Sequence, residues 1–203
     1  MAFELNTKGK YRELTPSYQG SRYQDGRPKV NEDLLRRMKQ VTIEEAWGTL
    51  GGKGHHFQFD GDWLNLHPDR VIVGRAVTCR YVPHRPDLNE IVEADGERNK
   101  RVGGQNSWVI DMLVKDDVLV VELFGKIAKG TFIGDNLGTA INVNTGGTGV
   151  VIDGSIRDDE RVRQLSFNVL LVWQLLGIRC QQCLSKDSSP PSRLLEGCHL
   201  IQK

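Results

Sequence analysis

The chain has 203 residues, with 27 lysine and arginine side chains against 26 aspartates and glutamates, a formal net charge of +1. Hydrophobic residues at 38% and charged residues at 26% exclude a collagen-like, wholly disordered or membrane-spanning chain. The near-neutral balance gives no global attraction to nucleic acid or acidic membranes, so neither is expected as a direct partner.

Residues 1–30 are polar, rich in Tyr, Gly, Arg and Lys, and read as an extended N-terminal arm or disordered leader. Asn31 is positioned to cap a short amphipathic helix over Glu32–Met38. Thr42 starts a second helix, Glu45 three positions later completes a capping box, and Gly51-Gly52 ends it. Val71–Cys79 is apolar and β-branched and predicts a strand. Pro83–Gly104 is charged and reads as a surface excursion, followed by a short helix over Trp108–Leu113. Val118–Leu123 is a nearly continuous apolar run of the kind found in buried strands. A loop and helix over 134–145, a second buried strand over Gly149–Gly154 and a charged helix over Asp159–Leu165 complete the pattern. Alternating strands and helices predict a single α/β domain over 31–168 with a partly parallel central sheet. Residues 169–203 show no clear periodicity and read as a divergent tail.

No charged segment followed by an apolar one opens the sequence, so no secretory signal is expected and the four cysteines read as reduced cytoplasmic thiols. Cys180-Gln-Gln-Cys183 with Cys198-His199 falls short of a zinc ribbon, because one complete C-x-x-C meets an awkward adjacent pair. Gly147-Thr148-Gly149 precedes a strand instead of following one, and Gly51-Gly52-Lys53-Gly54 lacks the spacing of a phosphate loop. Trp47 and Trp108 read as core or subunit-contact aromatics.

Two segments carry chemistry. Gly134-Asp135-Asn136-Leu137 leads into a helix, and Arg157-Asp158 follows the carboxyl end of a strand. Ligands in α/β folds collect at such strand ends and at helix N-termini. An arginine fork suits a carboxylate or a polarised carbonyl, and an adjacent aspartate offers hard oxygen to a divalent cation. Together these residue types suit an α-keto acid. The plainer account is a surface ion pair beside an ordinary turn and cap.

A run of ordered matches resembles the RraA-like family. It comprises Thr42–Gly48, Val73–Thr78, Gly104–Leu113, the stretch from Gly125-Lys126-Ile127 through Gly130–Gly138, and Gly149–Asp158. The family includes 4-hydroxy-4-methyl-2-oxoglutarate and 4-carboxy-4-hydroxy-2-oxoadipate aldolases, which also decarboxylate oxaloacetate. The resemblance implies an RraA-like swivelling β/α/β domain whose C-terminal part is here divergent or truncated. It implies a class II retro-aldol or decarboxylase activity that releases pyruvate, with Mg²⁺ or Mn²⁺ as cofactor. By the same resemblance Gly134, Asp135, Asn136, Leu137 and Arg157 bind substrate, Asp158 binds the metal, and Arg157, Asp135 and Glu45 serve catalysis, Glu45 by ordering metal-bound water. Assembly as a homotrimer or hexamer is implied as well.

Two features depart from the family pattern. Arg161 stands where the aldolases place an acid, and the Gly134-to-Arg157 interval is one residue longer, around Gly146–Gly149. RraA proteins proper bind and inhibit ribonuclease E without a complete metal site. A non-catalytic regulator of an RNA-processing partner, or an inactive family member, is therefore the alternative expectation.

Overall fold

A computed structural model of the chain describes residues 10–172 and 198–201. In chain order it holds α1 (Lys10–Leu14), α2 (Glu32–Met38), α3 (Ile43–Gly52), β1 (Leu64–Asn65), β2 (Arg75–Pro83), α4 (Pro86–Arg98) and α5 (Gln105–Ile110). It continues with β3 (Asp117–Thr131), α6 (Asp135–Thr145), β4 (Gly149–Ser155), α7 (Asp159–Val162), β5 (Asn168–Leu171) and β6 (Cys198–Ile201).

The strands form one sheet in the order β1-β5-β4-β3-β2-β6. Its four inner strands are parallel, with Val77 opposite Leu119, Val121 opposite Ile152 and Val150 opposite Val169. The two edge strands, β1 and β6, run antiparallel to their neighbours. This is the expected α/β architecture with a mixed, mostly parallel sheet and helical crossovers. Parallel strands covered on both faces must be apolar throughout, and Leu119, Val121, Leu123, Val150, Ile152 and Val169 are all buried. Each such side chain contributes roughly 1.5–3 kcal/mol through removal from water.

The helix starts follow their caps. Asn31 accepts from the Asp33 amide at 2.8 Å. Thr42 Oγ1 accepts from the Glu45 amide at 3.2 Å, while Glu45 Oε2 accepts from the Thr42 amide at 2.9 Å. Gly146, left-handed at φ 73°, ends α6.

Several elements differ from the sequence expectation, each for a physical reason. The segment 83–104, read as a surface excursion, contains α4. Pro86 starts that helix, and its Val92 and Gly96 are buried. Gly96 lies so tightly under the Trp108 indole that no side chain fits there. The strand expected over 71–79 begins only at Arg75, where the Arg75 amide donates to the Asp116 carbonyl at 2.9 Å. α5 occupies 105–110, starting earlier and ending sooner than the predicted 108–113 helix. α7 stops at Val162. β3 extends beyond Leu123 because Phe124 and Gly125, both at positive φ, form an irregularity after which pairing to β4 resumes.

The N-terminal arm, from residue 10, is folded onto the domain. Arg22 bridges to Pro28, and Arg27 Nη1 meets Asp117 Oδ2 at 2.8 Å. β5 places residues 168–171 inside the parallel sheet, although part of it lies in the stretch read as a divergent tail. Cys180, Cys183 and the remainder of that stretch, apart from β6, lie outside the described residues.

Candidate functional site

β3 and β4 run parallel, so their carboxyl ends deliver two following loops to the same side of the sheet. Backbone hydrogen bonds join those loops. The Phe132 amide donates to the Ser155 carbonyl, and the Arg157 amide to the Ile133 carbonyl, both at 3.0 Å. Gly134 and Arg157-Asp158, separate in sequence, are thereby brought side by side.

Gly134 shows how close they are. A Cβ there would lie 2.8 Å from Arg157 Nε and closer still to Asp158 Oδ2. The glycine's φ of −123° suits any residue, so the demand for glycine is purely spatial. Arg157 Nε and Asp158 Oδ2 are 3.5 Å apart and both side chains are part-exposed. Asp158 is itself left-handed, at φ 56° and ψ 37°, and its carbonyl accepts from the Arg161 and Val162 amides at 2.9 Å. A non-glycine residue in that region is uncommon, although aspartate tolerates it better than most.

Asp135 opens α6 directly beside this cluster. Its Oδ1 accepts from the Asn136 amide at 2.9 Å, and its Oδ2 from Arg161 Nη1 at 2.8 Å. The Arg161 hydrogen bond holds the Asp135 carboxyl below its ordinary range, so this group is an anion and an acceptor at working pH, not a proton donor. The cap residue Gly134 has no side chain to close the α6 N-terminus, and Asp135 takes up only the Asn136 amide, so the helix turns its positive end toward the cluster.

The sequence-expected residues thus divide. Gly134, Asp135, Arg157 and Asp158 form one constellation. Asn136 adds an exposed side chain on the first turn of α6. The Leu137 side chain packs against the core, so only its backbone faces the role expected of it. Glu45 sits on exposed α3, where its carboxylate closes the capping box with Thr42. Among the described residues no hydrogen bond or ion pair joins Glu45 to the constellation. Arg161 is the member that sequence reasoning noticed without assigning a role. It stood out because it takes the position of an acid in the family pattern, and its pairing with Asp135 joins residues 26 positions apart.

For a divalent cation the donor set is a single aspartate. Among the described residues, no group of three or more His, Cys, Asp or Glu side chains could hold a metal ion. Mg²⁺ has a different requirement, because it commonly keeps several waters and binds through one or two carboxylates plus substrate oxygens. Asp158, part-exposed and next to a cradle that only glycine permits, fits that requirement. A separate open cleft of about 790 Å³ lies at the other end of the strands, where Tyr23, Lys29, Arg75 and Lys115 surround the start of β2 and β3.

The RraA-like family model, described as Aldolase/RraA, matches residues 41–174, which include Glu45, Gly134–Leu137, Arg157, Asp158 and Arg161. The chain belongs to the RraA-like family. Solved structures agree with its fold. RraAS2 of Streptomyces coelicolor, described as an unusual member of the RNase ES inhibitor RraA protein family, is 24% identical with a TM-score of 0.56. That match covers 71% of this chain and 64% of that one. An uncharacterised protein from Pseudomonas syringae pv. tomato is 20% identical with a TM-score of 0.52, over 72% of this chain and 58% of that one. A structure described as novel cellulases from microbes of the gut ecosystem is 16% identical with a TM-score of 0.58, over 98% and 74%. At these identities the likeness is one of fold. The chain spans less than two-thirds of the length of the first two. No curated protein matches it. Within this RraA-like chain no helix of the described residues is long and apolar enough to cross a membrane.

Proposed function

We propose that this RraA-like chain is a divalent-metal-dependent lyase of short α-keto acids, acting as a pyruvate-releasing aldolase or oxaloacetate decarboxylase. The observation that carries the reading is the packing of Arg157 and Asp158 against Gly134 at the open N-terminus of α6. A turn built only for stability has no need of an arginine and an aspartate in a space that excludes even a methyl group.

In this reading the α6 amides and the Asn136 side chain receive the substrate carboxylate. Arg157 faces the keto oxygen and stabilises the negative charge that develops there as the carbon–carbon bond breaks. Asp158 holds the cation. When bound, Mg²⁺ or Mn²⁺ polarises the keto group as a Lewis acid. Asp135, held by its hydrogen bond from Arg161, fixes the first turn of α6 and orients water at the mouth of the site. A Schiff-base lysine has no part in this scheme.

Assembly as a homotrimer or hexamer belongs to the same proposal. α3 has no buried residue, and Ile43, Trp47 and Leu50 on it are exposed, as are Leu34, Phe57 and Phe59 around it. A second copy covering that face would also give Glu45 a route to a neighbouring site. A cytoplasmic location accords with this chemistry.

A second reading has its own observation. Asp135 is already paired with Arg161 at 2.8 Å and Asp158 with Arg157 at 3.5 Å, so each carboxylate of the constellation has a cationic side chain for a partner. A non-catalytic regulator of an RNA-processing partner needs no more than this. Purified protein mixed with oxaloacetate and Mg²⁺ or Mn²⁺ separates the two. Pyruvate release that is abolished by chelation supports the lyase, and its absence favours the regulator.

A further inference from the structure

We infer that Arg161 is a specificity-determining residue of this site, selecting keto acids that carry a second carboxylate. The inference rests on the keto-acid reading above and adds to it a residue outside the expected set.

Position comes first. Arg161 rises from the first turn of α7, tied to the constellation by its amide on the Asp158 carbonyl at 2.9 Å. Its guanidinium reaches across to Asp135 on α6, so it stands over the mouth between the two loops. Arg157 is the inner cation, pressed against Gly134, and Arg161 is the outer one, with 74% of its side chain exposed.

Donor capacity comes second. A guanidinium offers five N–H donors in a fixed fork. Nη1 is committed to Asp135, while Nε and Nη2 make no hydrogen bond among the described residues. A planar pair of donors is therefore presented outward, in the geometry that suits a carboxylate.

Charge comes third. The two carboxylates of Asp135 and Asp158 balance the two guanidinium groups of Arg157 and Arg161. The inner arginine serves the keto-acid end of the substrate, and the outer one serves the distal carboxylate.

A merely structural Arg161, acting through Asp135 alone, would affect all keto acids alike. Two five-carbon probes make the distinction: 2-oxoglutarate, with two carboxylates, and 2-oxopentanoate, with a methyl in place of the second. Neither is a β-keto acid, so binding is measured without decarboxylation, by calorimetry with Mg²⁺ present. The full chain is expected to bind 2-oxoglutarate more tightly. Arg161→Ala should weaken 2-oxoglutarate about tenfold more than it weakens 2-oxopentanoate, and Arg161→Lys should keep part of the preference. Unchanged circular dichroism and melting would verify the fold of each variant, as expected for so exposed a side chain. An equal loss for both acids, or the same preference in the parent and Arg161→Ala, overturns the inference while leaving the keto-acid reading in place. Failure of the parent chain to bind either acid overturns both.

Discussion

Gly134 and Asp158 occupy one small volume: the side chain that glycine lacks would fall on the aspartate's carboxylate oxygen. The two are held there by the hydrogen bond from the Arg157 amide to the Ile133 carbonyl, which fixes one loop against the other. Gly134→Ala should therefore push Arg157 and Asp158 out of place while leaving the sheet intact. Misplacement of about 1 Å at a catalytic group costs on the order of 100-fold in rate. Oxaloacetate turnover should fall by about that factor with little change in melting temperature. Wild-type turnover in Gly134→Ala would show that the close packing has no catalytic importance.

At the opposite end of the strands, Asp117 is fully buried and accepts from Arg27 Nη1 at 2.8 Å, Arg75 Nε at 3.0 Å and the Val114 amide at 3.0 Å. Asp117→Asn removes the one carboxylate that these two nearly buried arginines share: Arg27 keeps Asp25 at 2.6 Å, while Arg75 loses its ion-pair partner. A loss of about 3–5 kcal/mol is expected, because an unpaired buried charge is left behind. Arg27→Ala should cost less, about 1–3 kcal/mol, since Arg75 and the Val114 amide still serve the carboxylate. Urea denaturation of both variants checks the order, and equal losses would contradict it.

These relationships mark what the sequence could and could not reveal. β4, α6 and the start of α3 were legible because their signals are local: an apolar run, a glycine C-terminus and a Thr-x-x-Glu box. α4 was hidden by its charge, although Pro86 and the spacing of Leu88, Val92 and Gly96 mark a helix with one buried stripe. Val71–Val73 has the composition of a strand but no strand partner among the described residues, and pairing is a tertiary property. Gly134, Asp135, Arg157 and Asp158 could be singled out because they flank strand ends. The ion pairs Arg161–Asp135 and Arg27–Asp117 join residues far apart in the chain, and no local pattern encodes them.

Burial raises the pKa of the Cys79 thiol and of the Tyr81 phenol well above their ordinary values. Both groups hold their protons more tightly in the folded chain than in the unfolded one. Stability from this source is complete below the unfolded values, about 8.5 for a thiol and about 10 for a phenol, and is lost as pH rises past them. Urea midpoints should be flat between about pH 6 and 8 and should decline above about pH 9. The double variant Cys79→Ala/Tyr81→Phe should decline less steeply. An identical decline would assign the alkaline loss to other groups.

Trp47 is 54% exposed on a helix with no buried residue. If a second copy covers this face, Trp47→Glu should shift sedimentation toward the monomer without lowering the melting temperature of that monomer. A monomeric parent chain, or an assembly indifferent to the substitution, would contradict this use of α3.

The central claim is that Arg157 and Asp158 perform metal-dependent keto-acid chemistry beside Gly134. Pyruvate release from oxaloacetate, with and without Mg²⁺, in the parent chain and in Asp158→Ala and Arg157→Ala, tests it most directly. The account predicts Mg²⁺-dependent release in the parent and its loss in both variants. Release that is indifferent to Mg²⁺, or unchanged in either variant, would contradict it.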